Sequence, residues 1–439
     1  MSKGWRIVLA GLAFFVIVLA AILFFSYRLL TESLPQTEGK ITLSMLDESV
    51  RIYRDEYGVP HIFAETEADL YRAAGYVTAQ DRFWQMDINR RAATGRLSEI
   101  FGKATLETDR FIRTWGFARA GRESVRVMSP ESRAALEAYA DGVNAFITSH
   151  SDRLPVEFSL LKYQPEKWQP EDSAAYIRLM AWRLSFSWYV DPVLNELVQR
   201  LGEPKARAVF PDFPKDGAVI IQPDVKPFWT GMGEFLNSGL ALREFLGIHS
   251  GQAGSNSWVV SGQKSECGKP LLANDPHLEL TTPSIWYEMH LSCGDLNVTG
   301  VSLPGTPGIL IGHNEDIAWG LTNGMVDDVD FYIEKINPDN PKQYWDGKAW
   351  LDFQIYEEEI AVKDSTPVKL EIKISRNGPI VSNLHPLFKE TEKTVALRWT
   401  GHLPSDELAA LRKIQKAKSW DEFKSAVSHF KVPAQNFIF

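Results

Sequence analysis

From Ile7 to Phe25 the chain carries no charged residue, a stretch long enough as a helix to cross most of a bilayer's hydrocarbon core. Lys3 and Arg6 precede it and Arg28 follows, while the acidic residues come later. That charge order predicts an amino end held in the cytoplasm and an exported remainder. A cleaved signal peptide is the rival reading, but Phe24-Phe25-Ser26-Tyr27-Arg28 offers no small-x-small cleavage site. The pattern is therefore read as an uncleaved signal anchor.

Beyond a polar tether near Thr31 to Lys40 the apolar spacing shortens. Ile41-Thr42-Leu43 and Val50-Arg51-Ile52-Tyr53-Arg54 predict a short hairpin, and Gly58-Val59-Pro60-His61-Ile62 a turn into another strand. Helical spacing takes over from Ala68 to Arg91, where Leu70, Ala73, Ala74 and Val77 lead to Trp84 and Ile88 along one face. Ser129 to Ser149 repeats it behind a Ser129-Pro130-Glu131 start, and Asp172 to Leu184 and Pro192 to Leu201 predict two more helices. From Pro227 to Gly254 glycines are scattered through a stretch with neither period nor strong caps, which suits a connecting segment.

After Ser255 the runs are short and apolar, at 258–260, 271–273, 285–291, 298–301, 309–311, 317–320 and 329–333, divided by Gly, Pro, Asn and Asp. Runs at 356–362, 368–374 and 395–399 continue the series, with helices predicted at Ser405 to Ala417 and Trp420 to His429. A helical first half and a strand-rich second half predict a layered α/β arrangement with antiparallel sheets. Trp84, Trp182, Trp188 and Trp258 are candidate core residues, and Arg90, Arg91 and Asp81 candidate ion pairs between helical elements. The last run, Val432 to Phe439, stops inside an apolar stretch. Such an edge invites aggregation, so a piece of a longer protein is expected.

Composition narrows the function classes. The 439 residues exceed one ordinary core and predict two domains or one large one. A net charge of −9 argues against a nucleic-acid binder, which would carry a basic face, and leaves carboxylates available to a hard cation such as calcium. Cys267 and Cys293 flank two strand-like segments. Export permits a disulfide between them, two free thiols are the alternative, and their spacing does not suggest zinc.

The sharpest chemical candidate is Gly254-Ser255-Asn256-Ser257-Trp258, which runs into the strand-like Trp258-Val259-Val260. Cutting the Gly254–Ser255 bond would expose a serine whose own α-amine lies beside its hydroxyl. Serine needs such a base to act as a nucleophile, and a terminal amine, with a pKa of ~7.7–8.0, offers a far larger free-base fraction than lysine. The plain alternative is an ordinary turn. The sequence holds no Gly-x-Ser-x-Gly elbow, His-Glu-x-x-His helix or phosphate-binding Gly-Lys-Ser/Thr loop.

Several segments in order carry a family resemblance: Gly58-Val59-Pro60-His61-Ile62, Gly75 to Met86, Arg90-Arg91 and Gly95-Arg96-Leu97-Ser98-Glu99, then Gly254 to Trp258, Asn274-Asp275-Pro276-His277-Leu278, Pro304-Gly305, Gly312-His313-Asn314, Trp319-Gly320 and Asp327-Asp328-Val329-Asp330. Together they resemble the penicillin acylase family of N-terminal-nucleophile hydrolases over nearly everything after the membrane segment. The resemblance implies an α+β fold, a four-layer αββα sandwich formed by a mostly helical α-chain part and a sheet-rich β-chain part. It also implies a precursor that cuts itself between Gly254 and Ser255 into an α/β heterodimer. The domain reading becomes 1–28 as anchor or signal, 29–226 as α-chain region, 227–254 as spacer and 255–439 as the first part of the β-chain region.

By the same resemblance, Ser255 is the nucleophile that attacks an N-acyl amide, and His277 orients its amine or hydroxyl. The backbone N–H of Asn323 is one oxyanion donor, where relatives carry a small or branched apolar residue, and a second donor is expected beyond Phe439. Leu278 and Leu321 lie beside the acyl pocket and suit an apolar acyl group, with penicillin-type, aliphatic and acyl-homoserine lactone substrates all open. Asp327, Val329 and Asp330, joined by Asp191 from the α region, match a loop for one calcium ion. Two other readings stay open: a membrane-anchored, calcium-stabilised binding or scaffold protein of the same fold, and a conventional serine hydrolase using His61, His277 or His313 as base.

Overall fold

The computed structural model describes residues 3–185, 187–188, 190, 197–198, 200–209, 254–278, 280–382, 384 and 393–439. The predicted spacer, apart from Gly254, lies outside them, as do Asp191 and most of the helix expected at Pro192 to Leu201.

Helix α1, Lys3–Thr31, is exposed from Ile7 to Leu30, and within it Ile7–Thr31 is long and apolar enough to cross a membrane. Strands β1 (Arg51–Arg54) and β2 (Pro60–Phe63) precede α2 (Glu67–Thr94). Helices α3 (Ser98–Phe101), α4 (Leu106–Trp115), α5 (Phe117–Val127), α6 (Pro130–Ser149), α7 (Val156–Leu161), α8 (Pro170–Arg183) and α9 (Glu203–Val209) complete the helical half. Strands follow: β3 (Gly254–Val260), β4 (Leu271–His277), β5 (Tyr287–Cys293), β6 (Leu296–Ser302), β7 (Ile311–His313), β8 (Ala318–Asn323) and β9 (Val329–Glu334). Then come β10 (Ile336–Asn337), β11 (Asn340–Trp345), β12 (Trp350–Asp352), β13 (Gln354–Ile360), β14 (Val368–Ser375), β15 (Gly378–Pro379) and β16 (Thr394–Trp399). Helices α10 (Glu407–Lys416) and α11 (Trp420–Val427) and strand β17 (Gln435–Ile438) end the chain's order. The architecture is α+β.

The main sheet runs β1-β2-β5-β6-β7-β8-β17. All its pairs are antiparallel except β2 with β5, which is parallel. Because β2 precedes Ser255 and β5 follows it, the sheet is continuous across the Gly254–Ser255 bond, and cutting that bond would leave its ladder intact. Alternation sets which face is covered: Tyr287, Met289, Leu291 and Cys293 of β5 are buried while Glu288 is exposed. Their side of the sheet shares one core with α2, α6, α10 and α11. A second core joins α4, α5 and α8 to β9 and β16, with Trp115, Trp182, Trp188 and Trp399 at its centre.

Helix α2 starts where Thr66 Oγ1 accepts the Asp69 N–H at 3.1 Å and ends at Gly95, whose φ of 65° fits the left-handed cap that glycine tolerates. Asp87, fully buried, accepts from Arg90, Arg91 and the Tyr163 hydroxyl. Asp81 receives both guanidinium nitrogens of Arg54, at 2.7 and 3.0 Å, together with the Tyr287 hydroxyl. That bidentate charge-assisted grip ties β1, α2 and β5 together across the expected cut.

The structure differs from the sequence expectations at several points. Ile41 to Leu43 form no strand, because the following backbone is held otherwise: Asp69 accepts the N–H groups of Asp47 and Glu48 at 3.1 and 3.0 Å. Strand β1 pairs instead with β2. Trp258 is 57% exposed, on the outward side of its strand. Arg90 and Arg91 do pair between helices as expected, Arg90 with Asp172 of α8 at 3.4 Å and Arg91 with Glu99 of α3 at 2.6 Å, besides sharing Asp87 of their own helix, whereas Asp81 bridges strand and helix. Of the two open readings of the cysteines the free thiols hold, with Cys267 exposed and only Cys293 buried. Helices α4 and α5 and strands β10 to β12 have no counterpart in the expected elements.

Candidate active site

Strands β3 and β4 form a hairpin whose register sets the site. Gly254 faces His277, Ser255 faces Pro276, Asn256 faces Asp275 and Ser257 faces Asn274. Since facing residues share a side and neighbours alternate, Ser255, Pro276, Ser257 and Asn274 point one way, and Gly254, His277, Asn256 and Asp275 the other.

The Ser255 side turns toward β8. Asn274 donates from Nδ2 to Leu321 O at 2.9 Å and accepts the Leu321 N–H at Oδ1, also at 2.9 Å. Gly320 is required beside it, since a Cβ there would lie 2.9 Å from that of Asn274. Ser255 opens on a cleft shared with Pro276, Leu278, Leu321 and Asn323. Helix α8 adds Ile177 and Met180 to its walls, its C-cap adds Leu184, and α10 adds Leu408 and Leu411. Apolar side chains dominate this lining, so the cleft suits a hydrocarbon group with few polar partners.

Both expected pocket leucines and two expected catalytic residues thus meet at one cleft. Asn323 is anchored by its side chain, Nδ2 donating to Leu184 O at 2.7 Å and Oδ1 accepting from Gln435 at 3.2 Å. The Ser255 hydroxyl donates to Gly254 O at 2.6 Å, so the oxygen sits against the carbonyl of the bond expected to be cut. His277 lies on the other side of the hairpin. Its Nε2 is 2.9 Å from Asp275 Oδ2 and 3.4 Å from the Asn256 amide, and its Nδ1 lies 3.6 Å from where a Gly254 side chain would begin.

The other candidate bases, His61 and His313, are engaged elsewhere. His61 Nδ1 meets His290 Nδ1 at 3.1 Å, and His290 Nε2 meets Asn297 Oδ1. His313 Nδ1 contacts Asn314 O. Among the described residues none of the three is bonded to Ser255.

The acidic loop divides its labour in a way the sequence did not indicate. Asp328 is satisfied by the protein, its Oδ1 accepting from Ser185 and Ser187 and its Oδ2 from Trp399 Nε1. Asp330 Oδ1 is buried with no hydrogen-bond partner among the described residues. Burial pushes the Asp327 carboxyl up, and the nearby Asp330 and Asp328 push the same way. Burial also raises Asp330, against the pull of Arg398. Asp327 and Asp330 offer the hard oxygen ligands a cation such as calcium takes, although among the described residues no three acidic, histidine or cysteine side chains converge into a metal site. Asp191, the expected partner from the α region, lies outside the described residues.

Asn274, Asp275, Gln435 and the Ser185–Ser187 pair were not foreseen as site residues. Asn274 and Asp275 stand in the Asn-Asp-Pro-His-Leu motif, but only the hairpin register tells that they point to opposite sides.

A family model described as penicillin amidase matches residues 49–439. The chain is 31% identical over 427 residues to an acyl-homoserine lactone acylase, QuiP, of Pseudomonas aeruginosa, covering 93% of this chain and 50% of the relative. It is 32% identical over 371 residues to penicillin acylase 2 proenzyme of Pseudomonas sp. strain SE83, covering 80% and 46%. It is 29% identical over 426 residues to penicillin G acylase of Escherichia coli, covering 85% and 50%. The chain therefore spans about half the length of these curated relatives.

Proposed function

This chain belongs to the penicillin amidase family, and we propose that the protein it represents is a self-processing serine acylase that hydrolyses the amide bond of an N-acyl compound with an apolar acyl group. One observation carries the reading: the Ser255 hydroxyl both contacts the carbonyl of its own preceding residue and opens on an apolar cleft.

In the precursor, attack of Oγ on the Gly254 carbonyl carbon passes the Gly254 acyl group from nitrogen to oxygen, and water then releases it. The freed α-amine becomes the base. It takes the Oγ proton as the oxygen attacks the substrate amide, the amine product leaves with a proton, and water hydrolyses the acyl-enzyme. The Asn323 N–H stabilises the tetrahedral oxyanion, a contribution of about 3–4 kcal/mol for a single donor. Its side-chain anchors to Leu184 and Gln435 support that role by fixing the backbone.

One calcium ion held by Asp327, Asp330, the Val329 carbonyl and Asp191 is part of the proposal. It is supported by the orphaned Asp330 oxygen and would brace the strand that follows β8. The apolar helix α1 supports an uncleaved anchor, with the site exported to the periplasm or cell surface. The relatives point to the substrate class: penicillins, acyl-homoserine lactones or similar N-acyl amides.

The test is intact mass and N-terminal sequencing of the full-length gene product beside its Ser255→Ala variant, followed by assay on N-acyl amides of stepped chain length. A fragment beginning Ser255-Asn256-Ser257 in the wild type alone, with amide hydrolysis, is expected. A stable uncut wild-type chain would turn the reading to a binding or scaffold protein.

A further inference from the structure

The Asp275 carboxylate stands 2.9 Å from His277 Nε2, and at that distance the nitrogen must carry a proton, since its lone pair would otherwise face a carboxylate oxygen. The Asn256 amide is farther, at 3.4 Å, and turned about it presents its oxygen to the same N–H without conflict. A neutral imidazole protonated at Nε2 has its lone pair at Nδ1. That nitrogen faces Gly254, across the hairpin from the backbone of the bond expected to be cut.

Resting on the serine-acylase reading above, we propose that Asp275 is a positioning residue for the nucleophile. By accepting the Nε2–H of His277 it fixes the tautomer that leaves Nδ1 as acceptor for the α-amine that cleavage exposes on Ser255. Departure of Gly254 opens the space opposite His277, and the amine fills it. One amine N–H donates to Nδ1, which orients the amine lone pair toward Oγ on the hairpin's other side. The hydroxyl proton then moves from Oγ to the amine while His277 and Asp275 keep their protonation. The reverse tautomer would aim an N–H at the amine and compete with Oγ for its lone pair. Position favours the pairing, because Asp275 and His277 are two apart on one strand and share a side.

The carboxylate and its amide isostere make opposite demands on the ring. An asparagine at 275 can donate its own N–H to Nε2 and so reverse the tautomer, whereas alanine leaves the ring free to choose. In the full-length, self-processed enzyme, Asp275→Asn should lower kcat about tenfold or more with KM nearly unchanged, as tautomer reversal does in serine triads. Asp275→Ala should fall between Asn and wild type, and all three should still expose Ser255. A role confined to packing predicts no such order, so an Asn variant as active as wild type or as Ala overturns the proposal. Should the variants fail to fold, the ring of His277 in 15N-histidine-labelled processed wild type decides: protonation at Nε2 supports it and protonation at Nδ1 overturns it. A wild type that is never cut removes the acylase reading itself, a different failure from a cut and active enzyme indifferent to residue 275.

Discussion

The side-chain amide of Asn274 pairs with the backbone of Leu321 as another strand would, giving and receiving one hydrogen bond at 2.9 Å each. Its Nδ2 also reaches Asn256 O at 3.1 Å. The hairpin bearing Ser255 is thereby locked in register beside the strand bearing Asn323. Ser255 and Asn323, the proposed nucleophile and oxyanion donor, are thus linked in position through the Asn274 side chain.

Asn274→Ala removes these bonds and leaves part-buried Leu321 groups unpaired, a loss of about 2–4 kcal/mol at ~1 kcal/mol per bond plus desolvation. Gly320→Ala should act in the same direction by pushing Asn274 away. Asn274→Asp keeps the bond from the Leu321 N–H but sets a carboxylate against two carbonyl oxygens. All three should slow appearance of the Ser255 amino terminus more than they lower the unfolding midpoint. Urea unfolding alongside time-resolved sequencing checks this, and unchanged processing would show that the lock is dispensable.

The cleft offers a second test. Leu411 belongs to α10 and lines the cleft wall. Each methylene buried against such a wall is worth about 0.8 kcal/mol, roughly fourfold in kcat/KM. Wild type should therefore gain with acyl length until the chain meets the wall. Leu411→Trp should shorten the preferred acyl chain while sparing the shortest substrates. A uniform loss across lengths would place Leu411 outside the acyl path.

Much of the fold was legible because its signals are local. Helix α2 was read from Leu70, Ala73, Ala74 and Val77, and these are buried where the period placed them. Strands β5 and β6 carry alternation strong enough to mark their inner faces. Leu278, Leu321, Asn323 and Ser255 were named from a resemblance, and all four line one cleft. The failures are non-local. Ile41 to Leu43 look like a strand until Asp69, far along the chain, takes the neighbouring N–H groups. Trp258 reads as core by size, yet its alternation sends it outward. Asp328 reads like Asp327 and Asp330, and only Ser185, Ser187 and Trp399 set it apart.

The acidic loop predicts a linkage between cation and proton. Asp327 and Asp330 have folded pKa values raised chiefly by burial, so without a cation the folded state holds protons that the unfolded chain has released. Stability from these groups is present below the usual carboxylate pKa and is lost as pH rises through the raised values. The cation proposed for this loop would replace those protons and should stabilise more at pH 7.5 than at pH 4.5. Calorimetry with calcium or a chelator at both pH values tests it. An equal effect at the two would separate the cation from this loop, and Asp330→Asn should abolish most of the pH 7.5 increment.

His402 predicts acid sensitivity of the opposite sign. Its Nε2 lies 2.9 Å from Trp115 O and its ring stands edge-on to Trp399, within the tryptophan-rich core beside α4 and β16. Burial pulls its pKa down to about 4, outweighing the bond to Trp115 O. The unfolded chain then binds a proton that the folded chain refuses, so stability is full above the ordinary value of 6.5 and falls as pH drops toward about 4. The loss is at most about 3 kcal/mol, trimmed because the residue keeps some contact with solvent. His402→Gln retains an N–H for Trp115 O but cannot take the proton. Urea unfolding should find it within about 1 kcal/mol of wild type at pH 7 and visibly less weakened at pH 4.5. If both proteins lose the same stability between those pH values, the acid response originates in another group.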